Sequence, residues 1–400
     1  MLENVQVLGE RVERAWSERG NDVAAFADIA TEALIDSELL QTLSPTELIN
    51  WFVSHQDIPE QHYRAFGQPP INLYVGKGFL IEALFWVDST TTIHQHAFGG
   101  AFGVLAGSSV HSLYDFYQKE TISREIILGE INFISSELLK QGDVRSIHPG
   151  NRFIHALFHL DRPSISVVVR TKSNEDLKPQ YQYVKPWVAF DPFYKPEPFM
   201  TQIRLLDSLK RTNMELFWKT AKSIIDDSSI WMLFMVLSTV YHKFHTSEGW
   251  RDLIEYATSR YGSVVEYLIA CLREQSREIK IIARREAIHS PVHRFFLALL
   301  LNVPNKKMIH SLIADRFPQH DPLALMVEWI GQLSHEKLLA TDTNPLSHDL
   351  LKFAIRGDSY DSARRLVAPP TQPAGVEDET KIRAIWDGII SEPVLRPLFL

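Results

Sequence analysis

The stretch TTIHQHAFGGAFGVLAG, residues 91–107, decides how this chain is interpreted. It places His94 and His96 two residues apart, in a chain that has 16 histidines among 400 residues. In a β-strand, residues i and i+2 project to the same face, so both imidazoles point one way and Gln95 points the other. Two imidazoles on one face can occupy two coordination positions of a metal ion, and a third ligand must then come from another strand.

The sequence around this stretch, residues 71–172, predicts an antiparallel β-domain. Short runs rich in β-branched and aromatic residues follow one another, and glycine or polar turns separate most of them. Strands at this spacing are typical of a sandwich or barrel rather than of alternating strand–helix units. The region contains no Gly-rich phosphate loop before a helix and no GxSxG or HExxH motif, so the corresponding enzyme classes are not indicated.

Helices are predicted on both sides of this region. The sequence SPTE, residues 44–47, is a capping box, and FGQPP, residues 66–70, marks a boundary. Later in the chain, Ser290 and Asp321 each precede a proline and an apolar run, which predicts two capped helix starts. We therefore predict three parts: an N-terminal helical segment (1–65), a β-barrel (66–200) and a large C-terminal α-helical domain (201–400).

Composition limits the partners and the compartment. The net charge of −8 argues against nucleic acid or an acidic membrane surface as the main partner. The chain has one cysteine, Cys271, so no internal disulfide can form and a reducing compartment is expected. The N-terminus lacks the apolar core of a signal peptide. The longest apolar run, residues 230–241, is shorter than the ~20 residues that span a bilayer and predicts a buried helix. We expect a cytoplasmic protein.

A second motif lies downstream, where residues 142–158 read GDVRSIHPGNRFIHALF. It combines a Gly-Asp turn, a Pro-Gly turn and His155 at the start of an alternating apolar strand. In this order, the two motifs resemble those of the cupin superfamily. The resemblance covers the middle of the chain and implies a jelly-roll β-barrel that holds a metal ion on His94, His96 and His155. The second motif is one residue longer than the commonest cupin pattern, which leaves His148 as the alternative third ligand.

Many cupins also supply a glutamate five residues after the second histidine, where this chain has Ala101. Without that glutamate, the chain resembles the three-histidine, cysteine dioxygenase-like cupins. This resemblance implies Fe(II), with Zn, Ni, Cu or Mn as alternatives, and dioxygen and a small thiol- or amino-acid-like molecule as substrates. Three neutral ligands leave the full positive charge on the metal, so an anionic substrate group would bind there.

Three further residues are catalytic candidates. His159 shares a strand face with His155 and is interpreted either as a proton relay or as a hydrogen-bonded core histidine. Arg170 alternates with inward residues and could hold a substrate carboxylate through its planar fork, although an arginine at a strand end is often solvated. Tyr114 is likewise interpreted either as a catalytic residue or as a residue with no part in the chemistry.

These observations leave three hypotheses of function. The first is a non-haem iron dioxygenase-like oxidoreductase. The second is a metal-binding cupin that acts as a Lewis-acid isomerase or lyase, and the third is a non-enzymatic ligand-binding or scaffold protein that uses its helical domain for partner contact. Because cupins host many functions, the fold alone does not decide among them. We expect the first, with a small-molecule substrate and dioxygen as partners, no nucleic acid and no membrane. The sequence leaves the oligomeric state open. The resemblance to cupins, which often form homodimers, makes a homodimer one candidate.

Overall fold

The computed structural model describes residues 2–54, 58–61, 66–88, 90–172, 174–336, 345–367 and 376–400. The predicted architecture is confirmed: an N-terminal helical segment precedes a central antiparallel β-barrel, and helices follow it.

The N-terminal segment contains four helices. They are α1 (Leu2–Glu18), α2 (Phe26–Asp36), α3 (Leu39–Thr42) and α4 (Pro45–Ser54). The predicted capping box starts α4, because the Glu47 amide donates to Ser44 Oγ at 3.1 Å and the Ser44 amide donates to Glu47 Oε2 at 3.1 Å.

The central region contains eleven strands in the part of the chain that the structure describes. They are β1 (Pro70–Val75), β2 (Phe79–Trp86), β3 (His94–His96), β4 (Gly100–Ala106), β5 (Ser108–Thr121), β6 (Ile126–Lys140), β7 (Val144–Ile147), β8 (Gly150–His159), β9 (Ser164–Thr171), β10 (Gln182–Val184) and β11 (Val188–Phe190). Five strands form a sheet in the order β1-β2-β9-β4-β7. The other six form a closed barrel in the order β10-β11-β6-β5-β8-β3.

The five-stranded sheet is covered on both faces. Its outer residues pack with α1–α4 in one apolar cluster, in which the rings of Phe26 and Phe79 lie 5.7 Å apart. Its inner residues, including Leu84 and Val168, line an interior cavity. Strands β2 and β9 are therefore buried at every position, which explains why the sequence of β2 is a nearly continuous apolar run instead of an alternating one.

Two of the helices after the barrel begin at the predicted caps. The Ser290 hydroxyl accepts from the His293 amide, and the Asp321 carboxylate accepts from the Ala324 amide. The helices are α5 (Glu197–Thr212), α6 (Met214–Asp226), α7 (Ile230–Phe244), α8 (Glu248–Tyr261), α9 (Val264–Arg285), α10 (Pro291–Asn302), α11 (Lys306–Arg316), α12 (Pro322–His335), α13 (Pro345–Arg356), α14 (Tyr360–Val367) and α15 (Val376–Ser391).

Helices α7 and α9 contain the long apolar run of the sequence and its single cysteine. The apolar run at residues 230–241 is a partly buried helix, α7, as predicted. Cys271 in α9 is fully buried, and its thiol donates to the Val184 carbonyl at 3.2 Å. Among the described helices, none combines the length and the apolarity needed to cross a membrane.

The chain divides into two compact units. The first comprises Met1–Ser135 and Leu139–Ser276, and the second comprises Ser136–Leu138 and Arg277–Leu400. The first unit thus contains the N-terminal helices, most of the barrel and α5–α8. The division into parts 1–65, 66–200 and 201–400 stays a prediction, because it follows composition whereas these units follow packing.

Candidate metal centre

The two sequence motifs bring three histidines together. Strand β3 carries His94 and His96, and it pairs with β8, where His155 lies opposite His94. The nitrogens that these rings offer to a metal all lie within 4.8 Å of one another, and all three residues are buried. The spacing of the HxH motif and the strand pairing therefore produce one cluster of imidazoles.

A hydrogen bond to the backbone fixes which ring nitrogen of His94 keeps its lone pair. His94 Nδ1 lies 2.8 Å from the Thr92 carbonyl oxygen, so this nitrogen carries the proton and donates it. His94 Nε2 then keeps its lone pair and is buried without a hydrogen-bond partner. Because burying a polar atom without a partner costs free energy, such an atom fits a site that holds an ion.

The distance between His96 and His155 also fits an ion. Their Nε2 atoms are 2.9 Å apart. Two nitrogens that each lie about 2.1 Å from one ion, at a right angle, are about 3.0 Å apart. The same separation suits a hydrogen bond between the rings, so the distance is compatible with both arrangements. Three imidazoles suit iron, zinc, nickel and copper. The residues present therefore fit a divalent transition-metal ion.

Burial keeps these rings in the form that binds metals. It lowers the pKa of His94, and it lowers the pKa of His96 and His155 well below 6.5. Repulsion between neighbouring imidazoles adds to the effect of burial, and Arg170 contributes at His96. The neutral imidazole, which is the ligating form, is therefore favoured at neutral pH.

The backbone around the second motif explains its unusual length. Its turns contain Gly142 at φ +91° and Gly150 at φ +70°, which is the left-handed region that favours glycine. The pairing of β3 with β8 shifts between His94 and His96, so β8 bulges before His155. His148 lies outside the three-histidine group, so the histidine brought to the cluster is His155.

The cluster lies in the wall of a cavity of about 250 Å³. Nine of the 17 described lining side chains are apolar, and apolar side chains limit the access of water to the imidazoles. The polar members besides the histidines are few. The described lining residues are Phe66, Glu82, Leu84, Trp86, Thr91, His94, His96, Phe98, Phe102, Ile147, His155, Leu157, Ser166, Val168, Arg170, Gln180 and Phe193.

Of the three predicted catalytic residues, the structure places Arg170 in this lining. His159 is buried, its Nδ1 lies 2.8 Å from Ser109 Oγ, and its ring stacks on Trp86 at 4.6 Å. Tyr114 packs in a separate apolar cluster, with its ring 5.8 Å from that of Phe133. Neither His159 nor Tyr114 belongs to the described lining, and their catalytic roles stay predictions.

Sequence reasoning missed one functional candidate, Glu82, and His111 also lies beside the cluster. Glu82 lines the cavity and is bonded to Arg170, and His111 Nε2 lies 3.1 Å from His155 Nδ1. A signal for Glu82 was available, since it is a carboxylate within the apolar run FLIEALFW and a buried charge requires a partner.

Ala101, at the position where many cupins have a glutamate, faces away from the imidazoles. Ala101 in β4 is fully buried in the cluster that the sheet forms with the N-terminal helices. The next residue, Phe102, is the one that lines the cavity. The Ala101 side chain therefore contributes to the helix-covered face and not to the metal centre.

Sequence comparison gives no family assignment. No family model matches the chain. One curated relative, proteasome subunit beta 1 from Pyrobaculum arsenaticum, is 27% identical over 113 residues. These residues are 27% of this chain and 56% of that protein, so the match spans little more than half of the relative.

Solved structures with similarity to the chain include a lyase, a dioxygenase and an oxidase. The DMSP lyase DddQ from Ruegeria pomeroyi is 19% identical, with a TM-score of 0.18, over 25% of this chain and 41% of that one. The hydroquinone 1,2-dioxygenase PnpCD is 15% identical, with a TM-score of 0.20, over 25% and 62%. An oxalate oxidase is 15% identical, with a TM-score of 0.23, over 42% and 79%. At such low scores, the similarity supports neither a family nor a function for this chain.

Proposed function

We propose that this protein is a metal-dependent enzyme of the non-haem iron dioxygenase type that acts on a small organic substrate, with thiols as the first class to test. One observation carries the proposal: His94, His96 and His155 gather buried, neutral imidazoles in the wall of an apolar cavity. The finer predictions, Fe(II) as the ion and dioxygen as the second substrate, belong to this proposal.

The chain's own residues would perform three tasks. The three histidines hold the ion, and the Thr92 carbonyl keeps His94 in the tautomer that presents Nε2. Bound there, the ion would supply redox and Lewis-acid chemistry. The apolar wall, with Trp86 among its residues, excludes water from the bound substrate. An anionic head group such as a thiolate would bind at the ion, because three neutral ligands do not offset its charge.

A second candidate is a Lewis-acid lyase or isomerase. The carboxylate of Glu82 lines the same cavity, and reactions of that class use a proton acceptor beside the substrate. Oxygen consumption separates the two candidates, since only the oxygenase takes up dioxygen with its substrate.

The ion content of purified variants tests the metal site. We expect wild-type protein to carry about one iron per chain by elemental analysis, because three ligands define one site. His155→Ala should lose most of the ion, because it removes a ligand. His148→Ala is the matched control, a histidine of the same motif outside the cluster, and should retain it.

Two results would contradict the proposal. Equal iron in the wild type and His155→Ala would show that the cluster does not hold the ion. Iron at the cluster without oxygen uptake across a thiol panel would reject the oxygenase and leave the second candidate. A protein that binds no metal would favour a non-enzymatic ligand-binding role.

A further inference from the structure

Two charged side chains in the cavity wall neutralise each other. Arg170 Nε donates to Glu82 Oε1 at 2.6 Å, and Arg170 Nη2 donates to Glu82 Oε2 at 3.4 Å. The Arg170 side chain is 11% exposed and the Glu82 side chain 4%. The edge of a guanidinium formed by Nε and Nη2 is the one that can grip a carboxylate with two parallel hydrogen bonds. In this protein, Glu82 already occupies that edge.

The register of the sheet builds this pair. Strands β2 and β9 are neighbours, with Leu80 opposite Arg170 and Glu82 opposite Val168, so Glu82 and Arg170 are diagonal neighbours on one face. On the other side of β9, strand β4 places Gly100 opposite Arg170. A Cβ at Gly100 would lie 2.8 Å from Arg170 Cα, so the wall beside Arg170 has no side chain at that point.

The pair lies beside the candidate metal centre. Arg170 Cζ is 4.9 Å from the centre of the Phe98 ring, and that ring is 4.6 Å from the ring of His96. Among the described residues that line the cavity, Arg170 is the one lysine or arginine. A substrate anchored at the imidazoles by one anionic group would therefore meet a neutralised cation in this wall.

We propose that the Glu82–Arg170 pair is a specificity determinant that excludes substrates with a second anionic group and admits those whose body is uncharged. This inference rests on the proposed metal function. It narrows the substrate class to small thiols, or to molecules with a similar single acidic group, that carry no carboxylate. Amino acids, predicted as the other class, are thereby disfavoured.

Electrostatics supplies the reason. An entering carboxylate would either break the bonds between Arg170 and Glu82, leaving a buried carboxylate without its partner, or lie beside Glu82 with no net cation. A neutral amide in the same position avoids the repulsion, and its NH₂ group can donate to Glu82.

The test compares two probes of the same shape, 3-mercaptopropionamide and 3-mercaptopropionate, which differ by NH₂ in place of O⁻. Each is titrated into the full chain loaded with Co²⁺, and thiolate-to-cobalt absorbance reports binding without requiring turnover. We expect wild-type protein to bind the amide about tenfold more tightly, or better, because like charges are juxtaposed in the other complex.

Two variants assign this preference to the pair. Glu82→Gln frees the charge of Arg170, and we expect it to bind the carboxylate about tenfold more tightly than wild type does, which abolishes the preference for the amide. The double variant Glu82→Gln Arg170→Gln removes both charges and is the matched control, in which the carboxylate should gain no such advantage.

Each outcome decides the inference. Equal affinities of wild-type protein for the two probes would overturn it, and this measurement needs no variant, so it stands even if Glu82→Gln does not fold. An unchanged preference in folded Glu82→Gln would also overturn it. Cobalt uptake without discrimination would leave the proposed metal function intact. Uptake no greater than that of a His94→Ala His96→Ala variant would reject the metal function and this inference together.

Discussion

The contact between His111 and His155 decides how well one metal ligand is oriented. For His155 Nε2 to bind an ion, Nδ1 has to carry the proton and donate it to His111 Nε2, which lies 3.1 Å away. Partners of this kind fix the ring orientation and raise the basicity of the ligand. His111 is 1% exposed, so its ring is enclosed on the side away from His155 as well.

Replacing His111 tests this contact. We expect His111→Phe to weaken binding of the ion by about 10–100-fold, because His155 loses the acceptor for its Nδ1 proton. Competition with a chelator of known affinity measures the change. His159→Phe is the control, since His159 is equally buried but is bonded to Ser109 and stacked on Trp86. Equal losses in the two variants would mean that the effect is general to the core.

At the scale of elements, the glycines that follow the HxH motif let two strands approach each other. Gly100 in β4 lies opposite Arg170 in β9, and a Cβ at Gly100 would collide with the Val169 carbonyl oxygen. Backbone is in the way, so a side-chain rotation does not relieve the contact. Glycine therefore stands at position 100, four residues after His96, because β4 crosses a crowded part of the sheet there.

Gly100→Ala should therefore lower the free energy of unfolding by about 1–3 kcal/mol, because the strands have to separate. Urea denaturation measures the change. Gly388→Ala in α15 is the control, since a Cβ there meets nothing within 4 Å, and helix propensity predicts a gain of up to about 1 kcal/mol. A Gly100→Ala protein as stable as wild type would show that β4 has room to move.

At the scale of the whole molecule, the candidate centre belongs to one compact unit. His94, His96 and His155 all lie within the first unit, and α10 and α12 lie within the second. A bound ion stabilises the conformations that bind it, by about 2.7 kcal/mol at a hundred times the dissociation constant.

Hydrogen exchange should locate this stabilisation. We expect saturating ion to slow amide exchange in β3 and β8 and to leave α10 unchanged, because exchange reports the opening of each segment separately. The same experiment on a His94→Ala His96→Ala variant should show no slowing in β8. Equal slowing in α10 and β8 would refute the assignment of the ion to the first unit's histidines.

The sequence predicts the histidine cluster better than it predicts the surroundings of that cluster. The period of two places His94 and His96 on one face, which is a local rule, whereas His155 was expected from the resemblance of the second motif, with His148 as the alternative. The pairing of Glu82 with Arg170 spans 88 residues and depends on the register of β2 and β9, which no local pattern states. The barrel was similarly predictable from its strands, whereas the cover that α1–α4 provide follows from tertiary packing.

The burial of Cys271 makes the protein suited to site-directed labelling. It is the single cysteine of the chain, it is fully buried, and its thiol is bonded to the Val184 carbonyl. A cysteine introduced at Tyr117, which is 66% exposed on β5, would consequently be the one reactive attachment point for a nitroxide. Broadening of the nitroxide spectrum by a paramagnetic ion bound at the imidazoles would then report the distance between the label and the ion.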